Sequence, residues 1–330
     1  MGSSRHKLAF DVYLAAKSLL EGLRFRPDVI HGHMHEGALI GGVLARLLRV
    51  PLVFDFQGSL TGEMVDHRFL DPNGRAYALA HRLEKFISGR LPDAVLTSSL
   101  QAGEFLREQF DVPRAHIHPL PDCANTSRFD PLKFTPEAKR QLRRHLGIPD
   151  DHLIVAYLGL LTDYQGIPHL IETAVRCQQG GEAIHFLVMG YPDVDHYRAM
   201  AANRGVGGIM TFTGKVEYRD APYYLSLGDI AVTPKMSQTE GSGKMLNYMA
   251  LGQPIVAYDS PVHREYLADL GVYVPMGDVA GFATAVIQLA HQPDKRRDLG
   301  QKLRQRAIDE YSWQRAGKQI VDLYNDLTRP

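Results

Sequence analysis

A glycine-rich turn that leads into a predicted helix is the strongest chemical signal in this sequence. It reads Glu240-Gly-Ser-Gly-Lys244, and the helix that follows ends at Gly252, before a predicted strand. Free N–H groups and the positive end of a helix dipole favour an anion at such a turn, and the ammonium of Lys244 adds a point charge. Phosphate binding is one interpretation. An ordinary salt bridge between Glu240 and Lys244, at i,i+4 spacing, is the other.

A second turn with the potential to bind a ligand lies earlier in the chain. The predicted strand 153–158 leads to Gly159, and the next predicted helix begins after Gly166. Because ligands of open α/β sheets bind beyond the carboxyl ends of the strands, we expect this turn to lie beside Glu240–Lys244. A plain connection between a strand and a helix is the alternative.

Three histidines alternate near the start of the chain, at positions 31, 33 and 35. Alternate residues of a strand share one face, so His31, His33 and His35 could together ligate a metal ion. Histidines that bind no metal are the alternative, and we favour it.

The elements that must position these residues follow a regular alternation of strands and helices. Short β-branched apolar runs predict strands near residues 28–32, 51–55, 93–97, 116–120, 153–158, 184–189, 210–213, 230–233 and 254–257. Amphipathic stretches between them predict helices, and this order is typical of parallel sheets covered by helices. A polar stretch, 125–151, is predicted to connect two domains. The sequence therefore predicts an α/β protein built from two Rossmann-like units in tandem.

The first predicted element is a helix, 8–23, rather than a strand. The strand at Val29-Ile30 is therefore expected at an edge of the first sheet. An exposed apolar edge needs a cover, so we expect a homo-oligomer or a second chain there. The basic residues of the opening helix are compatible with docking on the inner face of a membrane. We favour packing on the sheet with the basic residues in solvent.

Composition and charge narrow the classes of protein further. The chain has 330 residues, of which 45% are hydrophobic and 22% are charged, as in ordinary globular proteins. Lys plus Arg and Asp plus Glu are both 37, so the net charge is zero, which argues against nucleic-acid binding. No uncharged apolar run approaches the ~20 residues that span a bilayer. The two cysteines, Cys123 and Cys177, predict inert thiols in a reducing cytoplasm.

Several segments, in this order, resemble the GT-B glycosyltransferases of family 4. They are Asp28-Val-Ile-His-Gly-His33, Pro121–Pro131, Phe212-Thr-Gly-Lys-Val216, Asp229–Pro234, Glu240–Lys244 and Tyr311-Ser-Trp313. The resemblance implies a GT-B fold with an acceptor-side domain at 1–130 and a donor-binding domain at 131–311. It also implies a helix, 312–330, that crosses back to the first domain.

The family's first strand and its glycine-rich loop have no counterpart here, so the resemblance implies a first domain that is truncated at its N-terminus. A shortened chain, a naturally shorter enzyme and a first half supplied by another chain all explain this and stay open.

The resemblance implies transfer of a sugar from a UDP-, GDP- or ADP-linked donor, with retention of configuration and with no metal or other cofactor. It assigns catalytic roles to Glu240, Lys244 and Gln57. It places His33, His35, Gly58 and Ser59 on the side of a sugar or lipid-linked acceptor. The implied donor-binding residues are Gly159, Gln165, Lys215, Val216, Lys235, Gly241, Ser242, Gly243 and Asn247.

The sequence departs from the family pattern where charge matters. Leu160 and Gln165 occupy the positions of the usual Arg and Lys, Asn247 replaces the second acidic residue, and Gln57 replaces a histidine. We expect Lys235 and Lys244 to supply the lost positive charge. Two other functions stay open: epimerisation or hydrolysis of a nucleotide sugar, and a non-catalytic nucleotide- or sugar-binding subunit.

Overall fold

The computed structural model describes residues 6–66, 69–236 and 242–329. It divides into two compact units: Met1–Pro121 together with Ala316–Pro330, and Asp122–Arg315. Both are α/β units with a parallel sheet flanked by helices, as predicted. The division falls at 121/122 and 315/316, whereas the predicted domain boundaries were 130/131 and 311/312.

The first unit contains a four-stranded parallel sheet in the order β1-β2-β3-β4. Because β1 pairs with β2 alone within this sheet, it is an edge strand, and the expectation of a covering partner there stays a prediction. The elements are α1 (His6–Phe25), β1 (Ile30–His33), α2 (Met34–Leu48), β2 (Leu52–Phe56), α3 (Leu60–Asp66), α4 (Arg75–Gly89), β3 (Ala94–Thr97), α5 (Leu100–Phe110) and β4 (Ile117–Pro119).

Strand alternation gives this sheet two buried faces. Phe54 and Phe56 of β2 pack on one face, and Val53 packs on the other. The second face is covered by the C-terminal helix α14 (Trp313–Thr328), whose Leu323 is buried there. Apolar side chains on both faces of a parallel strand are expected when helices cover both sides.

The second unit contains a six-stranded parallel sheet in the order β10-β9-β8-β5-β6-β7. Its elements are α6 (Pro136–His145), β5 (Leu153–Leu160), α7 (Ile167–Gln179), β6 (Ile184–Tyr191), α8 (Val194–Asn203), β7 (Met210–Gly214), α9 (Ala221–Leu225), β8 (Ile230–Thr233), α10 (Lys244–Ala250), β9 (Ile255–Tyr258), α11 (Pro261–Leu267), β10 (Val272–Val274), α12 (Val279–Ala290) and α13 (Pro293–Glu310).

The order of the strands reverses at β5. The chain runs outward from β5 through β6 to β7, then returns to the other side of β5 with β8 and continues to β9 and β10. Such a reversal opens a crevice beyond the carboxyl ends of the two central strands, which is where ligands of doubly wound sheets bind.

Two elements of this unit differ from the sequence prediction. The stretch predicted as a connection contains α6, which Thr135 caps by accepting a hydrogen bond from the N–H of Ala138. Pro136 at the first helical position is compatible with that start. The short edge strand β10 was not predicted either. Among the described helices, none has the length and apolar character needed to cross a membrane.

Candidate functional site

The carboxyl ends of β5 and β8 separate in the second unit. The two strands pair at Val155 and Ala156 of β5 and not beyond. Tyr248 of α10 occupies the gap: its hydroxyl accepts from the N–H of Leu158 at 2.7 Å and donates to the carbonyl of the same residue at 3.2 Å. The fully buried Tyr248 thus satisfies the backbone of β5 where no strand does, and it fixes α10 at the crevice.

Glycines permit unusually close backbone approaches around this crevice. Gly159 lies opposite Gly190 in the sheet, and a Cβ on Gly190 would lie 1.8 Å from the Gly159 carbonyl oxygen. Gly166 has φ +80°, and a Cβ there would lie 2.0 Å from the carbonyl oxygen of Pro234. Only glycine fits at these two positions without a backbone shift. The turn after β5 therefore lies directly against the segment after β8.

Lys244 is the first residue of α10, and its ammonium group points to the turn after β5. Nζ donates to Oε1 of the buried Gln165 at 2.8 Å and to the Tyr157 hydroxyl at 3.2 Å. It also lies 4.3 Å from the centre of the Tyr157 ring, within cation–π range. Gly159 borders the same group, because a Cβ there would lie 3.1 Å from Nζ. The structure thus brings the predicted residues Gly159, Gln165 and Lys244 together.

A second lysine contributes positive charge to this region. Lys235 follows β8 and is 1% exposed. The pKa of the buried His263 is lowered to about 4, first by burial and further by the charges of Lys235 and Lys244. His263 donates from Nδ1 to the Tyr258 carbonyl at 2.6 Å. This hydrogen bond raises the pKa of His263, but by less than burial and the two lysines lower it. The ring is therefore neutral at pH 7, and the two ammonium groups supply the positive charge.

Three buried hydroxyl groups near these strand ends have no hydrogen-bond partner among the described residues. They belong to Thr162 after β5, Thr233 at the end of β8, and Ser242 before α10. Buried polar groups are normally satisfied in folded proteins. Thr233 and Ser242 each precede one of the two lysines by two residues, so their hydroxyls are available to a polar ligand that binds there.

The other predicted donor residues follow strands of the same sheet. Asn247 is one turn after Lys244 on α10 and is half-buried. Gly243 is exposed, and a Cβ there would lie 3.5 Å from Asp122 Oδ2. Lys215 and Val216 follow β7; the Lys215 ammonium is exposed and pairs with Glu217 at 2.9 Å.

The segment that carried the sharpest sequence signal is only partly described. Glu240 and Gly241 lie outside the described residues, so their predicted roles stay predictions. The same holds for the salt bridge that was the alternative interpretation of Lys244.

In the first unit, a hydrogen-bonded chain at the ends of β1 and β2 links two predicted site residues, the acceptor-side His33 and the catalytic candidate Gln57. Asp55 lies opposite His33 in the sheet, and its Oδ2 is 2.8 Å from His33 Nδ1. The side-chain amide of Gln57 donates to the other carboxylate oxygen of Asp55 at 2.5 Å. His33 and Gln57 are exposed, so both can contact a bound molecule.

His35 lies on a helix and not on the strand that the alternation of the three histidines predicted. β1 ends at His33, and His35 belongs to α2, where its ring packs edge-on against Phe54 and Phe56. Its Nε2 is 3.4 Å from an oxygen of Glu84. The less favoured interpretation, in which all three histidines share one strand face, is therefore wrong, because α2 begins at the residue after His33.

The loop after β2 is organised by the fully buried Glu84 of α4. Its carboxylate accepts from the N–H of Leu60 at 2.7 Å, from the N–H of Thr61 at 2.9 Å, and from the Thr61 hydroxyl. Burial would raise the pKa of Glu84, but His35 and these Thr61 donors outweigh burial and lower it. Ser59 accepts from the N–H of Gly62 in the same loop.

The loop residue Gly58 lies near Glu63: a Cβ on Gly58 would lie 3.4 Å from a Glu63 carboxylate oxygen. The predicted residues Gly58 and Ser59 therefore lie on a loop with fixed ends, beside Gln57.

Sequence reasoning missed several residues that the structure places in these clusters. The sequence pattern predicts Tyr157 and Tyr248 only as core residues of a strand and a helix. Their hydroxyl groups contact Lys244 and Leu158, which lie 87 and 90 positions away in the chain. Asp55 had a usable signal: it is a charged residue at the end of an otherwise apolar strand run, where parallel sheets bind ligands.

Two family models match the chain. The model described as "Glycosyl transferases group 1" matches residues 138–306, and the "Glycosyl transferase 4-like domain" model matches residues 3–123. The first model alone covers half of the chain. It lies within the second unit and includes Lys235 and Lys244.

Relatives over most of the chain carry glycosyltransferase names. The alpha-D-kanosaminyltransferase of Streptomyces kanamyceticus is 26% identical over 90% of this chain and 77% of its own length. The putative glycosyltransferase EpsD of Bacillus subtilis is 27% identical over 95% of this chain and 80% of its own length.

Solved structures share the fold at lower sequence identity. Anabaena HepE in complex with UDP superposes with a TM-score of 0.79 at 15% identity, over 95% of this chain and 82% of that one. The sucrose-phosphate synthase of Thermosynechococcus elongatus superposes with a TM-score of 0.77 at 20% identity, over 99% of this chain and 80% of that one. The predicted two-unit GT-B fold is thereby confirmed, and the chain belongs to the group 1 glycosyl transferases, as a nucleotide-sugar-dependent glycosyltransferase.

Proposed function

We propose that this protein transfers a hexosyl group from a nucleoside diphosphate sugar to a hydroxyl acceptor, with retention of configuration and without a metal ion. The observation that carries the proposal is the contact of Lys244 with Gln165 at the strand-order reversal of the second unit, with Lys235 buried at the end of the neighbouring strand β8. Two basic groups whose charges both act on His263 suit a diphosphate, which is the leaving group of such a transfer.

The lysines would act on the negative charge that builds on the diphosphate as the glycosidic bond breaks. Preorganised cations and hydrogen-bond donors stabilise such developing charge most strongly where water is excluded. Lys244 is held by Gln165 and Tyr157, and Lys235 is fully buried. The Lys244 ammonium is therefore positioned before the donor arrives. Together with Lys235, it would replace the charge that the family pattern places at Leu160 and Gln165.

Further donor contacts would come from residues around the lysines. We assign Asn247 and Ser242 to hydroxyl or phosphate oxygens, and Lys215 with Val216 to the nucleotide base. Gly241 and Gly243 complete the proposed donor set, and we propose a catalytic role for Glu240, as for Lys244 and Gln57. The glycines at 159 and 190 keep the ends of β5 and β6 free of side chains, so a ligand can approach the backbone there.

The first unit would supply the acceptor side through Gln57, His33, Gly58 and Ser59. Asp55 orients two of them, since its carboxylate holds both the His33 ring and the Gln57 amide. His35, which contacts Glu84, would act on the acceptor loop rather than on the acceptor itself.

The names of relatives support the class of donor. HepE was solved with UDP and with UDP-glucose, and a starch synthase was solved with ADP. Proteins of similar fold therefore bind nucleoside diphosphates and their sugar conjugates. Glycosyltransferase names among relatives favour transfer over a non-catalytic binding role.

A turnover assay tests the proposal. The protein is incubated with UDP-, GDP- and ADP-hexoses and a panel of sugar and lipid-linked acceptors, with and without EDTA, and products are resolved by NMR. Transfer that keeps the anomeric configuration and is insensitive to EDTA supports it. Free sugar or an epimer formed from donor alone would favour hydrolysis or epimerisation, and an inverted product would refute retention.

A further inference from the structure

Two imidazoles and one carboxylate converge in the first unit, on the sheet face that α14 covers. They belong to His31 and His33 of β1 and to Asp55 of β2. One ligand atom from each of the three lies within 4.8 Å of the other two. The sheet register sets this arrangement, because it places His33 opposite Asp55 and leaves His31 on the same face, two residues earlier.

Each member of the cluster is already oriented by a contact. Tyr324 of α14 lies with its hydroxyl 2.5 Å from His31 Nδ1, and the Gln57 amide donates to Oδ1 of Asp55. The two imidazole rings stack with centroids 4.5 Å apart and an angle of 17° between their planes. Metal-binding histidines typically use their second ring nitrogen for such an outer hydrogen bond, which fixes the tautomer and the ring orientation.

The second nitrogen of His31 is unsatisfied. Its Nε2 is shielded from solvent and has no hydrogen-bond partner in the part of the chain that the structure describes. A buried polar atom without a partner is costly, and a bound cation would supply the missing interaction.

We propose that His31, His33 and Asp55 bind a Zn²⁺ ion, with water in the fourth position. Imidazole and carboxylate are ligands that zinc accepts in tetrahedral sites, at 2.0–2.2 Å. Ligand atoms of such a site lie about 3.3 Å apart, and His33 Nδ1 and Asp55 Oδ2 are now 2.8 Å apart. Binding would open this pair by about half an ångström and bring the His31 nitrogen, now within 4.8 Å, to the same spacing. The two stacked rings would turn so that a nitrogen of each faces the ion. His33 then carries its proton on Nε2.

Zinc binding does not depend on the proposed function. Its consequence does: His33 is one of the groups we assign to the acceptor side, so a zinc ion and an acceptor would compete for its ring. Transfer that needs no metal is compatible with this site, because the ion would compete with the acceptor and would take no part in the reaction.

Metal titration of the full chain tests the proposal. The protein is stripped with chelator, and binding of Zn²⁺ is measured by calorimetry. Co²⁺ is then used as a spectroscopic probe, because a four-coordinate site gives visible absorption bands. We expect one tight Zn²⁺ per chain and such bands with Co²⁺.

Three variants separate this site from adventitious binding. His33→Ala removes a ligand whose side chain is 68% exposed, so the fold is retained, and Zn²⁺ affinity should fall by at least about 100-fold. Tyr324→Phe removes only the outer contact and should cost about 10- to 100-fold. His116→Ala, an exposed histidine of the same unit, is the control and should bind as the wild type does.

Equal Zn²⁺ affinity in the wild type, His33→Ala and His116→Ala would overturn the proposal, as would the absence of a tight ion in the wild type. The far-ultraviolet circular dichroism of each variant checks that the fold is retained.

Discussion

Replacing Lys244 by Met tests the proposed diphosphate site through the residue at its centre. Methionine keeps an unbranched stem that can pack against the Tyr157 ring, whereas the ammonium group and its hydrogen bonds to Gln165 and Tyr157 are lost. The variant therefore removes charge with little change in volume. A loss of nucleotide affinity would then report on the charge and not on collapse of the crevice.

The structure sets the size of the effect. A hydrogen bond to a charged group contributes about 1.5–3 kcal/mol, and each 1.4 kcal/mol changes a dissociation constant tenfold. With Lys235 still in place, we expect the Kd for the nucleoside diphosphate to rise by about 10- to 150-fold. Turnover should fall by about 10²–10³, as when one preorganised donor to a developing negative charge is removed.

Isothermal titration calorimetry with the free nucleoside diphosphate measures the affinity. Lys302→Met is the matched control, because that lysine of α13 is exposed, pairs with Asp298 at the surface and lies outside the proposed donor set; its Kd should change less than threefold. A Lys244→Met protein that binds and turns over like the wild type would refute the reasoning and remove Lys244 from the site.

Two further predictions concern the elements that hold the clusters. In urea unfolding, Gly166→Ala should destabilise the second unit by about 2 kcal/mol more than Gly181→Ala does. Both glycines have positive φ, but only Gly166 lies against the backbone of Pro234. Equal losses of stability in the two variants would contradict this close approach of Gly166 to Pro234. Glu84→Gln should lower stability at pH 7. In the wild type this contribution to stability should be lost as the pH falls from 4.5, the ordinary pKa of a glutamate, through the lowered pKa of Glu84 in the folded state. The variant should lack this loss of stability in acid. The same dependence of stability on pH in both proteins would refute the prediction.

The alternation of strands and helices predicted most of the fold because each strand is a short apolar run bounded by turn residues. The same logic predicted that the turn at Gly159–Gln165 and Lys244 would meet, since both follow central strands of one sheet. The sequence pattern did not predict the helix α6. This helix is rich in charged residues and begins at a proline, so the pattern indicated a linker instead.

Contacts between distant positions were beyond the reach of the sequence. Nothing near Tyr248 indicates that its hydroxyl completes the edge of β5, because the need arises only where β5 and β8 diverge. The position of His35 depends on where β1 ends, and a pattern of alternating histidines does not encode that end. Side-chain roles at such places follow from tertiary geometry and not from spacing.

The measurement that tests the central claim most directly is thermal unfolding of the protein with UDP, GDP, ADP and their hexose conjugates, each with and without magnesium. A ligand at 100 times its Kd stabilises the fold by about 2.7 kcal/mol. The account predicts that one nucleotide series raises the Tm and that magnesium is not required. At the same concentration, Lys244→Met should reduce the stabilisation from about 2.7 to about 0.3–1.4 kcal/mol, as its weaker affinity requires. No shift with any nucleotide, or an equal shift in Lys244→Met, would contradict it.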